Sequence, residues 1–171
     1  MDSFNRMKKI ISNEALERIN NATVLILGIG GVGSYATESL ARSGIGTLIL
    51  VDHDIVDITN INRQIPALHS TIGMKKTEVM KNRIIDINPN CKVITIEQFI
   101  DNNNIHMLFV NNIDYIIDAC DTITTKKLLI KECINRKIKF ISSMGTGNKF
   151  NPSMLEITDI RKTSYDPLAR I

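Results

Sequence analysis

Cysteine is scarce: Cys91, Cys120 and Cys133 are an odd number with no close C-x-x-C pair, which excludes a disulfide framework or a four-cysteine zinc site within this chain. The thiols are expected to be free. Four prolines, nine glycines and the absence of any repetitive tract exclude a disordered or collagen-like chain. No apolar run approaches the about 20 residues that a membrane-spanning helix needs. The longest nearly apolar one, Val24 to Gly33, is half that length, and the N-terminus is polar where a secretion signal is hydrophobic. The expectation is a cytoplasmic protein with no membrane partner. Charge of one sign is also wanting. A net +3, from 21 basic against 18 acidic residues, does not announce a nucleic-acid binder. One local excess stands out between Lys126 and Lys139, where Lys126, Lys127, Lys131, Arg136, Lys137 and Lys139 face a single acid, Glu132. A solvated helix face is the plain reading, and a polyanion-docking patch the competing one.

What remains is 171 residues, 43% of them hydrophobic, enough for one domain with a two-faced core. Short β-rich runs alternate with longer amphipathic ones. Thr23–Leu27, Thr47–Val51, Lys92–Ile96, Tyr115–Asp118, Lys139–Ser142 and Met154–Thr158 read as strands. Ile10–Ile19, Gly31–Ser43, Met74–Ile87 and Thr124–Arg136 read as helices, with Gly44 at a helix C-terminus and Pro89 as a stop. Asp101–Asn104 reads as a surface loop. Helices that return the chain to one sheet edge impose parallel pairing, so the expected fold class is α/β, a doubly wound, mostly parallel, Rossmann-like sheet. The chain divides into an N-terminal arm and helix (1–22), a nucleotide-binding core (23–150) and a C-terminal segment (151–171).

Gly28-Ile29-Gly30-Gly31-Val32-Gly33 follows the first strand and runs into a helix. Glycines there let backbone N–H groups and the positive helix end approach a phosphate. Alone the pattern also suits a tight turn. Asp52, at the end of the next strand, turns the balance toward a nucleotide, because its carboxylate is placed to accept ribose hydroxyls rather than to cap a helix. A nicotinamide dehydrogenase accounts for these features but not for Thr59-Asn60-Ile61-Asn62-Arg63-Gln64, nor for Lys75-Lys76 after Gly73. An amide, a guanidinium and an ammonium beside a phosphate loop suit a triphosphate attacked at its α-phosphorus. Asp118-Ala119-Cys120-Asp121 then ends a later strand, where a carboxylate can hold Mg²⁺ on the phosphates.

In order and spacing, these motifs resemble the ThiF-type adenylating family, which includes ubiquitin-activating enzymes and the bacterial molybdopterin-synthase and thiazole-pathway adenylyltransferases. The opening Phe4-Asn5-Arg6 with Asn13–Glu17, and the closing Thr158–Ile160, Lys162-Thr163 and Asp166–Arg170, are similar to its tRNA threonylcarbamoyladenosine dehydratase branch. The resemblance implies ATP and Mg²⁺ as cofactors and tRNA as substrate. It implies that Gly28, Gly30, Gly31 and Gly33 line the nucleotide, Asp52 holds the ribose, Asn60, Arg63 and Lys76 contact phosphates, and Asp121 binds the metal. Arg6 matches an arginine that reaches the neighbouring protomer's phosphates, which implies a homodimer. Asp54 and Thr122 lie beside these positions. Relatives are expected to continue beyond Ile171, so the C-terminal segment is expected to be shortened.

Three other readings compete. An adenylyltransferase that activates a small ubiquitin-like sulfur carrier, with a sulfur-acceptor-type partner protein, would be expected to bring cysteine equipment that is missing here. An NAD-dependent oxidoreductase leaves Arg63, Lys76 and Asp121 idle, and an inactive nucleotide-binding module is the third. His53, His69 and His106 show no metal-ligand spacing.

Overall fold

Val24 to Leu27 are buried on both faces, so the first strand reads as an unbroken apolar run and lies at the centre of a sheet. The structure is a computed structural model that describes residues 4–145, 147, 150–164 and 166–170. Its strands are β1 (Thr23–Leu27), β2 (Thr47–Val51), β3 (Lys92–Ile96), β4 (Tyr115–Asp118) and β5 (Lys139–Ser142), all parallel, in the order β3-β2-β1-β4-β5. The helices are α1 (Asn13–Asn21), α2 (Gly33–Arg42), α3 (Lys76–Ile87) and α4 (Ile123–Arg136).

The alternation of side chains sorts the core into two layers. Val24, Ile26, Leu48 and Leu50 meet Ala41 of α2 and Met80 and Ile84 of α3 on one face. Leu25, Leu27, Ile49, Val51 and Ile116 meet Leu129 and Cys133 of α4 on the other, with Leu108 from a short 3-10 turn at Ile105–Phe109. Truncating one of these fully buried leucines to alanine costs about 2–5 kcal/mol. The chain winds from β1 toward β2 and β3, then crosses back to β4 and β5. That reversal opens a crevice outside the carboxyl ends of β1 and β4.

Five of the six expected strands form over the expected residues. Met154–Thr158 does not: Met154 ends a 3-10 turn begun at Pro152, and residues 154–158 are exposed with no ladder partner among the described residues. The first helix also starts later than Ile10, because the Ser12 hydroxyl accepts the Ala15 N–H at 3.2 Å and caps it there. Gly44, at φ +81°, closes α2, and the Phe4 ring lies 3.3 Å from where a Cβ on it would stand. The N-terminal arm is thereby packed beside the amino-terminal end of β2, away from the crevice.

Candidate functional site

The chain leaves β1 through Gly28, whose φ of +89° suits glycine, and a Cβ there would lie 2.7 Å from the Ala119 carbonyl oxygen. At Gly33 a Cβ would stand 1.8 Å from the Gly28 carbonyl oxygen, so the loop folds back on itself before α2 begins. Gly30 and Gly31 instead line a cleft of about 860 Å³ above the loop, a size typical of small-molecule sites. The N-cap of α2, Val32, supplies no capping hydrogen bond and the first turn carries no acid, which leaves the positive helix end open to an anion.

Asp52 leaves β2 facing this loop. Its Oδ2 accepts the Ile29 N–H at 2.6 Å and its Oδ1 accepts the Asp54 N–H at 2.8 Å. Each carboxylate oxygen keeps a lone pair for a hydroxyl donor. The next wall is the loop to α3. The buried Asn60 accepts the Asp57 N–H with Oδ1 at 3.2 Å, which leaves its NH₂ as a donor. Arg63 is exposed, its stem over Gly31, with Nη1 donating to the Thr59 carbonyl at 3.0 Å and to Asn62 Oδ1 at 2.8 Å. Lys76 opens α3 with its side chain 5% exposed, and Nζ meets Asp54 Oδ2 at 2.7 Å. One of its three protons is thus engaged.

Beyond β4 the two aspartates of the DACD motif separate. Asp118 is inaccessible and paired with Lys126 at 2.8 Å. This corrects the expectation for the basic cluster: Lys126 points inward, Arg136 is paired with Glu132, and Lys127, Lys131 and Lys137 stay exposed. Asp121 lines the cleft, exposed, with the Thr122 hydroxyl at 3.5 Å. A hard carboxylate left this open suits Mg²⁺, which keeps most of its shell for water and phosphate oxygens. Cys120 also lines the cleft, but burial, then the Asp118 carboxylate, push its thiol up to about 12. It is no nucleophile at neutral pH.

Gly28, Gly30, Gly31, Asp52, Asn60, Arg63, Lys76 and Asp121 therefore share one cleft. The profile of the ThiF family matches residues 4–166. The chain belongs to the ThiF family. It is 50% identical over all 171 residues to the tRNA threonylcarbamoyladenosine dehydratase of Bacillus subtilis, covering 67% of that protein. It is 44% identical over 165 residues to the Haemophilus influenzae enzyme of the same name, covering 96% of this chain and 63% of that one. Among solved structures, the Escherichia coli tRNA N6-threonylcarbamoyladenosine dehydratase in complex with ATP superposes with a TM-score of 0.96 at 40% identity, over 98% of this chain and 69% of that one. The chain spans about two thirds of the length of its bacterial dehydratase relatives.

Within this ThiF-family fold, two residues named from the sequence lie off the cleft wall. Gly33 sits buried beneath the loop, where its role is close packing. Arg6 is exposed on the N-terminal arm. The structure adds Gln64, which is buried against Gly30 with Oε1 unpaired among the described residues. It also adds Phe99, which meets the His53 ring edge-on at 5.1 Å on the cleft wall. Gln64 stands in the Thr59–Gln64 motif but is not singled out beside Asn60 and Arg63, and a lone phenylalanine carries no spacing signal.

Proposed function

We propose that this chain is the ATP-binding, adenylating part of a tRNA threonylcarbamoyladenosine dehydratase. The observation that carries this reading is the convergence of Asp52, Arg63, Lys76 and Asp121 on one cleft in a fold that superposes on a dehydratase solved with ATP. Asp52 accepts the ribose hydroxyls, and the Gly30–Gly31 backbone with the α2 N-terminus receives the phosphates. Asn60, Arg63 and Lys76 donate to phosphate oxygens and stabilise the departing pyrophosphate. Lys76 exchanges or shares its Asp54 partner as the triphosphate enters. Asp121 would hold Mg²⁺, which would supply neutralisation of phosphate charge when bound. The carboxylate of the modified adenosine attacks the α-phosphorus, forming an acyl adenylate as the bond to pyrophosphate breaks. A nucleophile within the same modified group then attacks the carbonyl carbon and expels AMP, which removes the elements of water and closes the ring.

The protein acts as a homodimer in the cytoplasm, Arg6 of one protomer serving the other's site. Among the described residues no helix is long and apolar enough to cross a membrane. A thioester step of the kind used with sulfur carriers finds no support in the thiols: Cys91 and Cys133 are buried and Cys120 is held protonated. The test is ATP–pyrophosphate exchange with three acceptors: tRNA carrying the modified adenosine, unmodified tRNA, and the C-terminal segment of a ubiquitin-like protein. Exchange with the first alone is expected. Exchange only with the protein C-terminus moves the chain to the sulfur-carrier branch, and tighter binding of NAD than ATP sinks adenylation altogether.

A further inference from the structure

Lys126 is 3% exposed on the inner side of α4, and its Nζ donates to Asp118 Oδ2 at 2.8 Å, Ser142 Oγ at 3.1 Å and the Ser143 carbonyl at 3.0 Å. Asp118 completes the cluster, its Oδ1 accepting the Cys120 N–H at 3.2 Å and its backbone carbonyl accepting the Ser143 N–H at 2.8 Å. Burying such a pair is costly, and replacing one with apolar side chains of similar volume is often neutral or stabilising. The pair is therefore weak evidence of a gain in stability. Its distinctive effect is geometric, because one ammonium joins Asp118, the last residue of β4 before the loop that carries Asp121, to Ser142 and Ser143, where β5 gives way to the loop up to Gly145. Both loops wall the cleft.

Apart from the metal carboxylate Asp121, the ribose and phosphate groups named above follow β1 and β2, from the glycine loop to the start of α3, on the other half of the sheet. With the pyrophosphate held there, in-line attack on the α-phosphorus requires the attacking carboxylate on the side opposite the leaving group. The β4–β5 wall of the cleft carries none of those glycine, amide or cationic groups. We infer that Lys126 is a positioning residue for the acceptor half of the cleft: its bridge to Asp118 and Ser143 sets the spacing of the two loops between which the carboxylate substrate meets the nucleotide. The inference rests on the adenylation reading above. A misplacement of reacting groups by about 1 Å costs on the order of 100-fold in rate.

Lys126→Met alone strands a buried carboxylate and is expected to unfold, so the deciding variant is Asp118→Asn/Lys126→Met, which removes both charges. It is expected to unfold cooperatively on heating and to bind ATP within about threefold of wild type by calorimetry. Amide exchange is expected to accelerate at Cys120 and Ser143 by about tenfold or more while β1 and β2 stay protected. Acceptor-dependent pyrophosphate exchange should fall about 100-fold in kcat/KM. Unchanged loop protection, or wild-type exchange in the double variant, overturns the inference. Wild-type protein that gives no exchange with any tRNA acceptor counts against the proposed function instead, and the loop protection then still decides the role of Lys126.

Discussion

Ile29 donates its backbone N–H to Asp52 Oδ2 across 2.6 Å, which ties the end of β2 to the glycine loop after β1 before any nucleotide arrives. The same carboxylate is the proposed ribose acceptor, so on that proposal one side chain both shapes the loop and holds the ligand. Asp52→Ala leaves the Ile29 N–H, which belongs to a fully buried residue, without its partner, at a cost of about 1–3 kcal/mol in stability. ATP and AMP should lose affinity alike, by roughly 10- to 100-fold, because they share the ribose. Lys76→Ala should weaken ATP and spare AMP. Calorimetric titration of both nucleotides against both variants checks the assignment, and equal losses for the lysine variant would remove Lys76 from the β- and γ-phosphates.

The four loop glycines are not equivalent. A methyl at Gly33 meets the Gly28 carbonyl oxygen at 1.8 Å, whereas at Gly30 its nearest neighbour is Gln64 Nε2 at an ordinary 3.7 Å. Gly33→Ala should therefore destabilise the fold by about 3 kcal/mol or more, with the loop displaced. Gly30→Ala should melt within a few degrees of wild type and lose nucleotide affinity, because its methyl occupies the surface a phosphate approaches. Thermal melts with and without ATP separate the two effects.

Glu38 couples α2 to α3 by accepting from Arg83 Nε at 2.6 Å and from Arg42 Nη2 at 2.6 Å. Its hydrogen bond to Arg83, ahead of that to Arg42, holds its carboxyl below the ordinary 4.5. A depressed folded-state value means that this stabilisation is fully present above the unfolded value and fades as pH falls through the folded one. With both arginines well exposed, the contribution is about 0.5–1 kcal/mol. Glu38→Gln should lose that amount at pH 7, and its denaturation midpoint should converge with wild type at pH values well below 4.5.

Burial pushes Cys91 and Cys133 up to about 11 and Cys120 up to about 12. At pH 8 the thiolate fraction is then about 10⁻³ or less at each. Iodoacetamide at that pH should leave ATP binding intact and label the protein only after denaturation. Nucleotide-protected labelling of Cys120 in the native protein, with loss of activity, would revive a covalent thioester route.

Strand positions were legible because burial on both faces leaves a short apolar run bounded by turn residues, as in Thr23–Leu27, and its length and β-branched content tell it from a helix. Met154–Thr158 shows the limit of that signal: apolar residues propose a strand, but only a neighbouring ladder makes one. The lining of the cleft was legible wherever it follows chain order, as with Asp52 after a strand end and Lys76 at a helix start. Lys126 was not. Counting charge along the chain ignores the rotation of α4, which carries Lys127 and Lys131 outward and turns Lys126 onto Asp118. Its acidic partner stands in another motif, so the pair exists only after β4 and α4 have packed.

Arg6 poses the sharpest test. The Phe4 ring against Gly44 anchors the arm beside the amino-terminal end of β2, while the glycine loop leaves the carboxyl-terminal end of β1. Five residues at about 3.3 Å each place these ends about 16 Å apart. The proposed role for an arginine anchored there is in trans, because a two-fold axis can carry it to the neighbouring protomer's cleft. Removing an arginine that acts in trans on a transferring phosphate costs on the order of 10³-fold in rate or more. Arg6→Ala and Lys76→Ala proteins should each be nearly inactive alone. Mixed one to one and re-equilibrated, they should recover about a quarter of wild-type activity, since half the dimers are mixed and each holds one intact composite site. Sedimentation shows whether mixed dimers form, and mixed dimers without recovered activity would place Arg6 in its own chain's chemistry or in none.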